Sequence, residues 1–346
     1  MKNLDTKNPS SLDRLKTLLK EGYVEPPLIF PIVGYHVAHI NKIDFRSYLI
    51  DWERTPILQF QALRDYGSDF VALVMDLTLE AEALGAKVSY HATPPSIEKH
   101  LSFTEDNINK LYEVEDKYIS LGRLHIVLKG LTKLIELNNR DLITCAYVTG
   151  PLTLASNLFG PEVILKSFIK DQDKLIKVLE ATTNLQLKYL EVLVEIGVDS
   201  IAVLEPTASL ISPQMYDRFL LNPLRKIFGK IRQKNLVGIL HTCGRAEKIV
   251  KNMGYTEAHI LSLDFYVDLA EAIRITNKIV MGNVPTTYFL ESSNKVYKYT
   301  IQLLDRTKSF KHIVSSGCEI PAYATPETVK ELKLATIDWY EKNKRR

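Results

Sequence analysis

The stretch Asp171 to Glu205, DQDKLIKVLEATTNLQLKYLEVLVEIGVDSIAVLE, contains one whole structural unit. From Asp171 to Ile196 the leucines 175, 179, 190 and 193 recur at helical spacing. Gly197 stands where a helix stops. Val198 to Leu204 is apolar on both faces, the mark of a strand buried in a parallel sheet. Glu205 then ends the run with a carboxylate. The same order returns elsewhere: Gly67 leads through an apolar run to Asp76, and Gly254 leads to Asp264.

Working outward, short apolar runs of this kind lie near 28–33, 69–75, 142–148, 198–204, 236–241, 258–263, 278–283 and 311–316. Helical segments separate them. Ser212-Pro213 and Thr325-Pro326 each set a capping hydroxyl before a proline at the first helical position. Gly22 and Gly85 mark further helix ends. Strand and helix alternating in this way predict an α/β fold, a (β/α)8 TIM barrel closed by right-handed crossovers. An open doubly wound sheet is the alternative. It is disfavoured because no Gly-x-Gly-x-x-Gly or Walker-type loop follows any of the runs.

The length of 346 residues is then read as a single barrel domain, 1–346, with two additions. An N-terminal helical extension covers 1–27, with an amphipathic helix at Ser11 to Gly22 expected to cover the barrel bottom or a partner chain. An insertion at 77–141 is too long for one helix. It is read as a helix at 77–84, an extended piece near Lys87 to His91, Pro94-Pro95 and two more helices, lying over the barrel mouth.

Hydrophobic residues make up 46% and charged residues 25%, a globular composition that excludes disorder as the main state. No apolar run approaches the ~18 residues of a membrane span. The N-terminus lacks a signal-peptide pattern, so a cytoplasmic location is expected. The net charge of +3 is too balanced for a nucleic-acid binder, and Lys342 to Arg346 is read as a solvated basic tail.

In a barrel the chemistry sits at the C-terminal ends of the strands. Asp76, Glu205, Asp264, Asn283, the pair His241 and Cys243, and Cys318 all fall there. In His241-Thr242-Cys243 the strand period of two puts the outer residues on one side. Cys318 ends the last strand and faces the same mouth. One imidazole and two thiolates suit zinc and leave a position for substrate. The other reading is two small buried thiols and a core histidine, and spacing alone does not choose between them. Cys145 sits inside an apolar run and is read as core. Asp264 and Glu205 are candidate fourth ligands or charge partners. Asp76 is both a helix cap for 77–84 and a candidate pocket residue. Asn283, Tyr35 and His36 are further pocket candidates, with loop-holding or packing as the other reading.

Taken in order, several stretches resemble the uroporphyrinogen decarboxylase superfamily. They are Asp76 to Gly85, Thr149-Gly150-Pro151-Leu152-Thr153-Leu154-Ala155, Glu205 to Ser209 with Ile211-Ser212-Pro213, and His241 to Gly244. Met281 to Val284, Ser316 to Pro321 and Thr325-Pro326-Glu327 complete the series. The resemblance is to the zinc-dependent corrinoid methyltransferase branch, of the methylcobamide:coenzyme M methyltransferase kind. It implies zinc on His241, Cys243 and Cys318. It also implies a methyl group exchanged between a corrinoid on a separate carrier protein and a small thiol or methyl donor. Cobalamin-independent methionine synthase looks related too, with an acidic ligand at a similar distance after its Cys. That favours Asp264, 21 residues after Cys243, over Glu205. The chain departs from the family at Glu205, where Asp is common, and around Gly34-Tyr35-His36. Two rival functions follow from the same residues: a metal-free decarboxylase-like lyase, and a non-catalytic zinc-binding barrel. The arginine-rich N-terminal motif of true uroporphyrinogen decarboxylases is missing.

Overall fold

The computed structural model describes residues 9–91 and 94–344. The first eight residues of the expected extension and the last two of the basic tail therefore lie outside the described residues.

Eight parallel strands form the barrel: β1 (Ile29–Phe30), β2 (Phe70–Ala72), β5 (Ile143–Thr149), β6 (Ser200–Leu204), β7 (Val237–Thr242), β8 (Ile260–Leu263), β9 (Ile279–Val284) and β10 (His312–Ser316). Two more, β3 (Lys87–Ser89) and β4 (Ser96–Lys99), make an antiparallel hairpin after β2. The barrel order is β1-β10-β9-β8-β7-β6-β5-β2, so the expected (β/α)8 architecture is present.

Alternation along the strands builds two cores. Phe30, Phe70, Cys145, Ile239, Ile260 and Ile313 point into the barrel and pack together. Ala146, Val148, Ile201, Val203, Leu240 and Val314 point outward to the helix layer. Cys145 is therefore core, fully buried.

The joint between β1 and β2 differs from the other seven, because no ladder forms there. Asp69 closes it instead. Its backbone N–H donates to Ile29 O at 2.8 Å, and its Oδ2 accepts from Ile29 N at 2.8 Å. Arg14 and Ser11, both on the helix Ser11–Glu21, bond the other oxygen of Asp69. Leu15 and Leu18 of that helix are fully buried among the inward-facing strand residues. The N-terminal helix thus plugs the bottom of its own barrel.

Of the stretch 77–141, the helix Leu124–Asn138 packs in the outer layer against the helix Thr55–Asp65. Beyond the hairpin strand β3, Pro94 and Pro95 reach the mouth, where they line a cavity. The second hairpin strand, β4, is too polar to read as a strand from composition.

Candidate metal centre

β7 carries His241 inward near its end, and Cys243 follows one residue past it. Cys318 lies two residues beyond β10, after Gly317. A side chain at Gly317 would have its Cβ 2.6 Å from an Asp264 oxygen, so glycine is what lets this loop lie against β8's loop. The ligand atoms of His241, Cys243 and Cys318 all lie within 4.8 Å of one another. Cys318 Sγ is 3.7 Å from His241 Nε2. Two donors on one tetrahedral zinc, a nitrogen and a sulfur, would stand about 3.5 Å apart.

The other ring nitrogen, His241 Nδ1, bonds Ser262 Oγ at 2.9 Å. The β7–β8 register pairs these two residues directly. A partner on Nδ1 orients the ring and leaves Nε2 for the thiols, the usual arrangement behind a metal-bound histidine. The Cys318 thiol hydrogen-bonds to Cys243, which lowers the pKa of Cys243 and raises that of Cys318. The donor set therefore fits zinc in type, spacing and orientation.

The candidate fourth ligands are differently employed. Asp264 Oδ2 accepts from Gly244 N at 2.8 Å, and Oδ1 accepts from Phe265 N at 2.7 Å. It lies beside the cluster and ties two mouth loops. Glu205 is fully buried and accepts from Leu152 N at 3.0 Å, from Thr153 N at 2.7 Å and from the Thr153 hydroxyl. Those amides open the helix Pro151–Phe159, so Glu205 caps a neighbour's helix. Burial pushes its carboxyl up to about 7 against these bonds. Neither carboxylate joins the His-Cys-Cys group.

The pocket candidates divide. Asp76 faces the cavity and also holds its turn, accepting from Thr78 N at 2.9 Å and Thr78 Oγ1 at 2.7 Å. The residue at the cap position itself is Thr78. The second Asp76 oxygen pairs with Arg123 at 2.7 Å, and Arg123 also bonds Glu82 at 2.6 Å. Tyr35 lines the cavity, and its phenol oxygen is buried without a partner among the described residues. Asn283 holds the loop after β8, donating to Asp264 O at 3.0 Å and Val267 O at 2.7 Å. His36 is fully buried and absent from the cavity wall, with Nε2 2.7 Å from the Tyr66 hydroxyl. Burial lowers its pKa to about 4, so it packs as a neutral ring. Of the two readings of His36, its burial and its bond to Tyr66 in the first turn of the helix Tyr35–Ile40 support packing.

Sequence reasoning passed over Ser262, Arg123 and Glu319. Glu319 follows Cys318 within the stretch Ser316 to Pro321, and that position was its only signal. Its carboxylate lines the cavity and accepts from Tyr35 N at 2.9 Å. It occupies the space over Gly34, where a Cβ would lie 2.5 Å from Oε1. Burial pushes the Glu319 carboxyl up to about 8. The cavity measures about 420 Å³ and runs from Cys318 and Glu319 past Asp76 to Pro94, Pro95 and Tyr323.

With this geometry in place, the chain can be set beside known proteins. The profile of uroporphyrinogen decarboxylase (URO-D) matches residues 11–338. Methylcobamide:CoM methyltransferase MtbA of Methanosarcina mazei is 27% identical over 223 residues, 63% of this chain and 65% of that protein. The match thus spans just under two thirds of that relative's length. Methylcobamide:CoM methyltransferase MtaA of Methanosarcina barkeri is 25% identical over 279 residues, 79% of this chain and 81% of that one. Among solved structures, a methyltransferase from Methanosarcina mazei superposes with a TM-score of 0.83 at 22% identity. That superposition covers 96% of this chain and 99% of the other, and it bears on the fold alone.

Proposed function

Because the chain belongs to the uroporphyrinogen decarboxylase (URO-D) family, we propose that it is a zinc-dependent methyltransferase exchanging a methyl group between a corrinoid and a small thiol or methyl donor. The corrinoid is carried by a separate protein. The observation that carries this reading is the trio His241, Cys243 and Cys318, with one member, Cys318, in the wall of a cavity sized for a small molecule. The named activity of the MtbA and MtaA relatives supports it.

His241, Cys243 and Cys318 would hold the metal, and the Ser262 hydroxyl holds Nδ1 and so orients the His241 ring with Nε2 towards the thiols. Zinc bound there supplies a thiol as its thiolate near neutral pH. The preferred direction is corrinoid to thiol, because two thiolate ligands weaken zinc as a Lewis acid. The methyl–Co(III) corrinoid would be the substrate that gives its methyl group to the thiol sulfur and keeps the bonding pair as Co(I), with the thiol proton going to solvent. Asp76 and its partner Arg123 keep one wall of the cavity rigid, and Tyr35 and Glu319 form the wall beside the ligands.

A metal-free decarboxylase reading fits less well. A porphyrinogen's carboxylates need bidentate cations, and no Lys or Arg lines the cavity among the described residues.

The test incubates the zinc-loaded protein with methylcobalamin and small thiols and follows the cobalamin spectrum. Loss of the methyl–cobalt spectrum, with about one zinc per chain, is expected. Metal-free purified protein, or no demethylation with any thiol, overturns the reading.

A further inference from the structure

Two members of the trio form a pair in their own right. The Cys318 thiol hydrogen-bonds to Cys243, and both residues are half-buried. Cys318 lies in the wall of the cavity, so a molecule seated there meets it first. Cys145, the third cysteine, is fully buried in the barrel core and out of reach. The sulfurs of the pair lie within 4.8 Å, and a disulfide bond brings them to about 2 Å.

The loops that carry the two cysteines are fastened to each other independently of any metal. Asp264 accepts from Gly244 N, the amide next to Cys243, at 2.8 Å. Gly317, next to Cys318, lies against the other Asp264 oxygen, and its N–H donates to Val284 O at 2.8 Å. Emptying the metal position therefore leaves the thiols facing each other. Two thiols held in this way react with each other's sulfur sooner than with a second molecule from solution.

We propose that Cys243 and Cys318 are a reversible redox pair, oxidised by the disulfide of the small thiol that the cavity takes. Cys318 attacks one sulfur of that disulfide, forming a mixed disulfide and releasing one small thiol. Cys243 then attacks Cys318 Sγ, closing the protein disulfide and releasing the second small thiol. Two electrons pass from the cysteine pair to the small disulfide. The two protons come from the cysteine thiols, or from solvent where the cysteines start as thiolates. Oxidation removes two of the three ligands, so zinc is released, and an excess of the small thiol reverses each step. Methyl transfer then runs only where the thiol pool is kept reduced. The inference rests on the zinc reading of the site and adds its regulation.

The test treats zinc-loaded protein with 2-hydroxyethyl disulfide at a fixed concentration of 2-mercaptoethanol. Release of about one zinc per chain is expected, read with a colorimetric chelator. Alkylation and peptide mapping should find Cys243 joined to Cys318 and Cys145 free. Excess 2-mercaptoethanol with zinc should restore the starting state. Because the bound metal and the protein disulfide exclude each other, a tenfold rise in free zinc should raise the midpoint disulfide concentration about tenfold. Cys243→Ala should stop at the mixed disulfide, keeping the 2-hydroxyethylthio group on Cys318. Zinc retained with all thiols reduced, a parent protein that stops at the mixed disulfide, or a midpoint indifferent to zinc overturns the proposal. If the purified protein binds no zinc, the metal reading fails, and the mapped disulfide still decides whether the two cysteines are a redox pair.

Discussion

The two flanks of the barrel mouth handle buried polar groups in opposite ways. On the β5–β6 flank two buried carboxylates are well bonded. Glu205 takes three donors from the start of one helix. Glu80 accepts from Thr149 N at 2.7 Å and from the Thr149 hydroxyl. On the β7–β10 flank Asp264 and Asn283 tie loops, while the groups around the His-Cys-Cys trio are less committed. His241 spends one nitrogen on Ser262 and keeps the other, Glu319 receives a single bond, and the thiols face each other. Saturated groups cannot take a ligand without losing something, so the first flank is scaffold. Spare groups cost stability unless something binds them, so the second flank is where binding belongs.

Variants can break or sharpen that contrast. The largest expected effect is from Cys243→Ala, which should lose zinc and reduce methyl transfer to background while the unfolding midpoint moves little. Metal analysis beside thermal unfolding checks it; a collapse in stability at unchanged zinc would erase the distinction. Glu205→Ala should do the reverse. It leaves buried amides of the helix Pro151–Phe159 unpaired and should cost about 3 kcal/mol in denaturant unfolding, with zinc content retained. Ser262→Ala probes the boundary between the flanks. It should weaken zinc affinity about 10- to 100-fold in a chelator competition, with a minor change in stability.

The smallest effect is in pH dependence. Glu205 is raised to about 7 in the fold, above an unfolded value of about 4.3. A carboxyl raised by folding contributes stability that is present at pH 4 and lost as pH rises through 7. Glu205→Gln stays neutral throughout. The stability gap between the parent and Glu205→Gln should therefore shrink between pH 5 and pH 8, on the order of a kilocalorie per mole or more. A gap that widens would mean the carboxylate is the better-bound form.

What was legible in the sequence follows from how local each signal is. The strands and the His241-Thr242-Cys243 pair show in a window of a few residues, because pleat and burial act there. β1 was expected over 28–33 and its ladder covers only Ile29–Phe30. Pro31 has no N–H to continue the ladder. Ser262 could not be picked out, since only the β7–β8 register makes it the neighbour of His241. Glu319 and Arg123 were invisible for a similar reason, their meaning residing in Gly34 and Tyr35, or in Asp76 and Glu82, far along the chain. Asn283 read as pocket or loop-holder, and its bonds are to loop carbonyls.

The joint between β1 and β2 has a mechanical consequence. A hoop of eight staves with seven laddered joints and one clasp does not share strain evenly. Nearly everything that holds the clasp shut hangs on Asp69 and on the helix that carries Arg14 and Ser11. Breathing of this barrel should therefore start at that stave, with the amide of Ile29 exchanging with solvent sooner than those of β7. Removing the first turns of the helix Ser11–Glu21 would therefore unfasten the hoop at its clasp.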